Sequence, residues 1–150
     1  MRAVVQRVTQ ASVSIAGDMH SSIPRGLLVL LGVEHEDNES DLDWLAGKIA
    51  QMRIFSDEDG KMNRNITEIS GSMLVVSQFT LHASTKKGNR PSFLRAAHPS
   101  TARPMYESFC DQLAKAAGVP VSQGVFGADM QISLCNDGPV TIFIDSRDRQ

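Results

Sequence analysis

The sequence predicts a single α/β domain, mostly antiparallel β-sheet, with two amphipathic helices on the outside covering one face. Three observations predict it. Runs rich in β-branched and apolar residues recur along the chain, separated by turns bearing glycine or proline. Two segments, one beginning near Ser40 and one near Ser100, carry apolar residues at helical spacing. The 150 residues contain no repeat, low-complexity tract or interdomain linker, so residues 1–150 read as one domain, long enough for a substantial core.

At the N-terminus, Ala3–Val8 is β-branched, and Ala11, Val13 and Ile15 alternate on one face of a second piece. Gly17-Asp18 marks a turn. Gly26–Val33 is almost continuously apolar, as suits a strand buried on both faces. A helix follows, with Ser40 expected as its N-cap, Asp43 three residues on, and Leu42, Leu45, Ile49 and Met52 on one stripe. Glu39, Asp41 and Asp43 near its start, with Lys48 and Arg53 later, suit the helix dipole. Ser56–Lys61 reads as a turn and Ser72–Leu81 as a strand. A second helix is expected from about Ser100, with Pro104 in or near its first turn. Met105, Phe109 and Leu113 form its apolar row, widened by Tyr106 and Cys110, and Gly118 and Pro120 end it. Val121–Val125, Met130–Leu134 and Val140–Ile144 read as three closing strands.

Composition excludes some functions and leaves others open. Hydrophobic residues make up 41% and charged residues 21%, ordinary for a globular domain. The longest apolar run, Leu27–Leu31, is far too short to cross a bilayer. No signal peptide is visible after Met1, which makes a cytoplasmic location the expectation. Cys110 and Cys135 read as reduced, buried thiols. The formal charge of −2 gives no bulk attraction to nucleic acid, but its distribution is uneven. Between Ala83 and Tyr106 there is no acidic residue, while five of the chain's 15 basic residues fall there: Lys86, Lys87, Arg90, Arg95 and Arg103. That stretch is either a solvated loop or a phosphate-contacting one.

No conventional catalytic set is legible. His20, His35, His82 and His98 share no metal-ligand spacing and read as structural or solvated. The acidic cluster around Glu39 lacks the glycine and alternation of a calcium loop. In Ser77-Gln78-Phe79-Thr80-Leu81, strand periodicity puts Gln78 and Thr80 on one face and Ser77 and Phe79 on the other. Thr80 or Ser77 as a nucleophile would need a base, and none is identifiable. Gly138-Pro139 reads as a tight turn before a strand, with its peptide bond either cis or trans.

Over essentially its whole length the chain resembles the D-aminoacyl-tRNA deacylases. The resemblance rests on collinear segments: Gln6-Arg7-Val8, Gly26–Glu34, Arg53-Ile54-Phe55-Ser56, Gly60-Lys61-Met62-Asn63, Ser77–Leu81, Arg90-Pro91-Ser92-Phe93, Phe126–Met130 and Asn136-Asp137-Gly138-Pro139-Val140-Thr141. It implies a barrel-like sheet core and a homodimer with active sites at the subunit interface. It also implies hydrolysis of the ester joining a D-amino acid, or mischarged glycine, to the 3′-terminal adenosine of tRNA. By the same resemblance, the 2′-hydroxyl of that adenosine assists, while Ser77, Gln78, Phe79 and Thr80 line the catalytic pocket and supply backbone donors. Gly138 and Pro139, oriented by Arg7, would enter the partner's pocket and exclude an L side chain. Phe126, Ala128 and Met130 would surround the adenine. Lys86, Lys87, Arg90 and Arg95 would meet tRNA phosphates. No cofactor, metal or membrane is implied.

Two other functions remain open to the residues alone. One is a non-catalytic RNA-binding module on the same fold. The other is an unrelated hydrolase working through Thr80 or Ser77.

Overall fold

The two N-terminal pieces are one strand, and the sheet is built on it. The computed structural model describes residues 1–149. In chain order the elements are β1 (Arg2–Ile15), β2 (Asp18–Ile23), β3 (Gly26–Gly32), α1 (Glu39–Gln51), β4 (Phe55–Ser56), β5 (Met62–Arg64), β6 (Ser72–Ser77), a 3-10 turn (Phe79–His82), α2 (Pro99–Ala117), β7 (Val121–Gln123) and β8 (Gln131–Asp145). One edge of β1 pairs antiparallel with β3 along Arg2–Val8 and with β2 along Ala11–Ile15. The other edge pairs with β8 along most of its length. From β3 the sheet continues in parallel through β6 to β7. Ser21 Oγ of β2 donates to Gln123 O of β7 at 3.0 Å, which draws the far strands together into a nearly closed barrel.

The double-sided burial expected of Gly26–Val33 follows from this layout. Leu27, Val29 and Leu31 pack toward the helices with Leu45, Ile49, Phe109 and Leu113. Leu28 points the other way, into a smaller cluster inside the barrel with Val8, Val13, Leu74 and Val76. Gly26 allows β3 and β6 to approach, because a Cβ there would lie 1.7 Å from Ser72 O.

Several boundaries differ from expectation. α1 is capped by Asn38, not Ser40: Asn38 Oδ1 accepts from Ser40 N at 2.9 Å, and Asp41 Oδ2 accepts from Asn38 N at 3.2 Å. The box sits two residues earlier because Asp41, not Asp43, is buried. Asp41 also accepts from Ser146 Oγ at 2.8 Å, and Ser146 in turn accepts from the Met1 ammonium at 2.7 Å. Met52 falls just past the helix, as its C-cap. In α2, Pro99 takes the first-turn position expected of Pro104, which lies inside the helix. Ser56–Lys61 joins a small hairpin of β4 and β5, too short to have stood out. Cys110 is buried as expected, but Cys135 is exposed on β8. Among the described residues, no helix is long and apolar enough to cross a membrane.

Candidate active site

A pocket of about 720 Å³ opens beyond the ends of β3 and β6. Strand β6 stops at Ser77 instead of running to Leu81, and Phe79–His82 turns into a 3-10 helix. The expected alternation of faces therefore ends at Ser77. Ser77, Gln78 and Phe79 form one wall. The loop before β8 supplies another with Phe126, Gly127, Ala128 and Met130. A strap ahead of α2 closes the third side with Phe93, Leu94, Ala96 and Ala97. Two segments about 50 residues apart, the Ser77 motif and Phe126–Met130, thus meet in one cavity.

The walls are held from behind. Phe79 and Phe93 meet edge to face, with centroids 5.1 Å apart and planes at 72°. Phe126 lies between Tyr106, 5.9 Å away, and the Arg103 guanidinium, 5.4 Å from its ring centre. The Tyr106 hydroxyl donates to Val75 O at 2.8 Å, and burial holds its pKa far above that of an ordinary tyrosine. Burial also pushes the neighbouring Cys110 thiol up to about 12, so it stays protonated and inert.

Among the described residues, the hydroxyls carry no activating base. Thr80 Oγ1 accepts from Gln78 Nε2 at 2.5 Å. Among the described residues, no titratable side chain hydrogen-bonds the Ser77 or Thr80 hydroxyl. Thr80 itself is exposed and does not line the cavity. What this wall presents is backbone: at the start of a 3-10 turn, the N–H groups of Phe79 and Thr80 have no acceptor within the turn.

Arg7, Gly138 and Pro139 lie outside the pocket. The expected turn before a final strand is instead a bulge within β8. Gln6 faces Thr141 and Val8 faces Asn136, so residues 137–140 loop out opposite Arg7. Asn136 Nδ2 closes the neck by donating to Arg7 O and Val140 O, both at 3.0 Å. Arg7 Nε donates to Asp137 O at 3.2 Å and pairs with Asp137 Oδ2 at 3.2 Å, and Arg7 Nη1 donates to Ile54 O at 2.6 Å. Gly138 has φ +121°, and a Cβ there would sit 2.9 Å from Arg7 Nη2. The Gly138–Pro139 peptide is cis, and both residues are exposed.

Lys86, Lys87 and Arg90 are exposed on the loop between the 3-10 turn and α2. Arg95, grouped with them from sequence, turns to Glu34 in a two-pronged ion pair. Sequence reasoning gave Glu34 no role of its own, although an acidic residue ending so apolar a strand was a usable signal. His82 was read as structural or solvated, and it is buried with its Nδ1 3.6 Å from Glu34 Oε2. Among the described residues, no three His, Cys, Asp or Glu side chains form a metal-binding group.

The geometry can be set beside known proteins. The family model described as D-Tyr-tRNA(Tyr) deacylase matches residues 4–145. The D-aminoacyl-tRNA deacylase of Akkermansia muciniphila is 61% identical, and that of Parabacteroides distasonis 57%, each over all of both chains. A solved structure described as a c-Myc DNA unwinding element binding protein superposes with a TM-score of 0.91 at 43% identity, covering 97% of this chain and 98% of that one. The fold also matches, at 19% identity and a TM-score of 0.82, a structure described as a probable eukaryotic D-amino acid tRNA deacylase, covering 95% of this chain and 97% of that one. The chain belongs to the D-Tyr-tRNA(Tyr) deacylase family and is a hydrolase of that class.

Proposed function

We propose that this hydrolase cleaves the ester between a D-amino acid, or glycine, and the 3′-terminal adenosine of tRNA, and spares L-aminoacyl-tRNA. The observation that carries the reading is the separation of its two motifs. The pocket gathers Ser77, Gln78, Phe79, Phe126, Ala128 and Met130 but neither Gly138 nor Pro139. Those two sit instead on an exposed bulge fixed by Arg7 and Asn136. A pinned, exposed bulge with no role in its own chain's pocket suits insertion into that of a second copy. A homodimer would also cover the free edge of β8 and the exposed Leu134 and Phe143 beside it.

In this reading the apolar wall of Phe126, Ala128 and Met130 takes the adenine, and the ester carbonyl lies against Phe79. Water attacks the carbonyl carbon, assisted by the adenosine 2′-hydroxyl. The oxyanion is met by the N–H groups of Phe79 and Thr80, and the adenosine 3′-oxygen departs with a proton. An aminoacyl ester is already activated, so placement and fixed donors suffice, each donor supplying roughly 10²–10³ in rate. Gln78 positions the substrate. Carbonyl oxygens of the partner's bulge would hold the α-amino group and leave no space on the L side, a steric exclusion that glycine escapes. Lys86, Lys87 and Arg90 are free to meet tRNA phosphates. The absence of a base on either hydroxyl favours this scheme over a Thr80 or Ser77 nucleophile.

Hydrolysis of matched D-, L- and glycyl-tRNA by the purified protein tests it. The reading requires release of the D and glycyl residues with the L ester intact. Cleavage of none of them by a folded dimer would leave an RNA-binding module.

A further inference from the structure

We propose that Arg95 is a positioning residue for the pocket and not a phosphate contact: gripped by Glu34, it fixes the strap that forms the pocket's third wall. Arg95 Nε donates to Glu34 Oε2 at 3.0 Å, and Nη2 donates to Oε1 at 3.1 Å and lies 2.7 Å from Oε2. This is the fork geometry that a guanidinium makes with a carboxylate and a lysine does not. Glu34 is buried, whereas Arg95 is more than half exposed. The partners nearest to replacing it on that carboxylate are Arg147 Nε and His82 Nδ1, both 3.6 Å away and too far to hydrogen-bond. Moving Arg95 to a phosphate would take from that buried carboxylate the guanidinium that hydrogen-bonds it, leaving Arg147 at 3.6 Å.

The strap is tied at the same place by its backbone. Ala97 N donates to Val33 O at 2.9 Å, His35 N donates to Arg95 O at 3.3 Å, and the His35 ring meets Leu94 O at 3.1 Å. Phe93, on this strap, packs against Phe79 on the opposite wall. His82, the last residue of the turn that carries Phe79, lies 3.6 Å from the same Glu34 carboxylate without a hydrogen bond to it. The buried carboxylate therefore holds the strap side of the opening through Arg95, with His82 of the facing turn beside it.

The proposal rests on the deacylase reading, and the two fail differently. The probes are a D-aminoacyl-tRNA and the matching D-aminoacyl-adenosine ester, which has the terminal nucleoside and no tRNA phosphates. Arg95→Ala should lower kcat/KM on the small ester by about tenfold or more, and leave the salt dependence of tRNA binding unchanged. Lys86→Ala with Lys87→Ala should do the opposite: the small ester is cleaved normally, and the slope of log K against log salt drops by roughly 0.7–0.9 for each phosphate no longer neutralised. Glu34→Gln should match Arg95→Ala, and the double variant should be no worse than either. Arg95→Lys keeps the charge without the fork, so it should fail on the small ester as Arg95→Ala does, which keeps the test decisive if Arg95→Ala does not fold. Normal cleavage of the small ester by Arg95→Ala, with a reduced salt slope and rescue by lysine, would overturn the proposal. If the native protein cleaves neither ester, the deacylase reading itself fails. Binding of adenosine then tests the wall, and equal affinity in native protein and Arg95→Ala would overturn the proposal.

Discussion

The bulge at residues 137–140 and the wall at Ser77–His82 differ in how they are held. The bulge is fixed at its neck by Asn136 and along its side by Arg7, through charged and backbone partners at hydrogen-bond distance. The wall takes one side-chain hydrogen bond from outside, Arg2 Nη1 to Leu81 O at 2.9 Å, and one within itself, Gln78 to Thr80, and among the described residues its buried His82 leaves both ring nitrogens without a hydrogen-bond partner. In the proposed reading the bulge excludes by collision and must not yield, because a movement of even an ångström would admit the wrong enantiomer. A wall that offers backbone N–H groups needs only the turn that exposes them. If the proposed roles hold, the difference means that selectivity and rate are built from separate parts of the chain, so mutations should separate them.

The largest effect should come from breaking the rigid side. Gly138→Ala forces a Cβ onto a backbone at φ +121° and against Arg7 Nη2. The strain, about 1–3 kcal/mol, should be relieved by distorting the bulge. Hydrolysis assays on D- and L-esters should show collapse of their ratio, and a denaturation curve should show a domain that still folds. Arg7→Ala comes next. It removes the partner of Asp137 and of Ile54 O without obstructing anything. The expected outcome is partial loss of L-rejection, with a stability cost of about 1–2 kcal/mol in chemical denaturation.

The other two predictions sharpen the softer side. Burial lowers the pKa of His82 below its ordinary 6.5, outweighing the raising influence of Gly32 and Glu34. The unfolded chain therefore binds this proton more readily than the folded one. Stability should be level above about pH 6.5 and decline as pH falls below it, toward the lowered folded value. His82→Asn should flatten that decline in melts recorded between pH 7.5 and 5.5. The smallest effect is reserved for Thr80→Ala. Its exposed hydroxyl has no base among the described residues, so turnover on the D-ester should fall by less than about tenfold, against roughly 10⁶ for loss of a true nucleophile.

The parts of the fold that were legible in sequence are those with a period. The apolar stripes placed both helices within a residue or two, and the run Leu27–Leu31 announced a strand covered on both faces. What periodicity missed were local events that break it. The end of β6 at Ser77 is hidden because Phe79 and Leu81 continue an apolar alternation that the backbone does not follow. Two closing strands proved to be one because a bulge and a turn share the same glycine and proline chemistry. The N-cap moved to Asn38 because Asn and Ser both suit that position, and tertiary burial of Asp41 decided between them. Within the candidate site, the Ser77 and Phe126 segments were named by resemblance, and their meeting in one cavity is a tertiary fact. The tie between Arg95 and Glu34, 61 residues apart, was not legible at all, because charge in a sequence does not say where it points.

The central claim is that each active site is shared, with the pocket of one copy meeting the bulge of another. Co-expression of two damaged chains tests it most directly. One carries Gly138→Ala with a native pocket, and the other carries Ala128→Trp, which fills the pocket beside a native bulge. Isolated heterodimers should regain D-ester hydrolysis with L-esters spared, at about half the native rate per dimer, although neither homodimer has this activity. Heterodimers no more selective than the Gly138→Ala homodimer would contradict it, and would return the bulge to a role within its own chain.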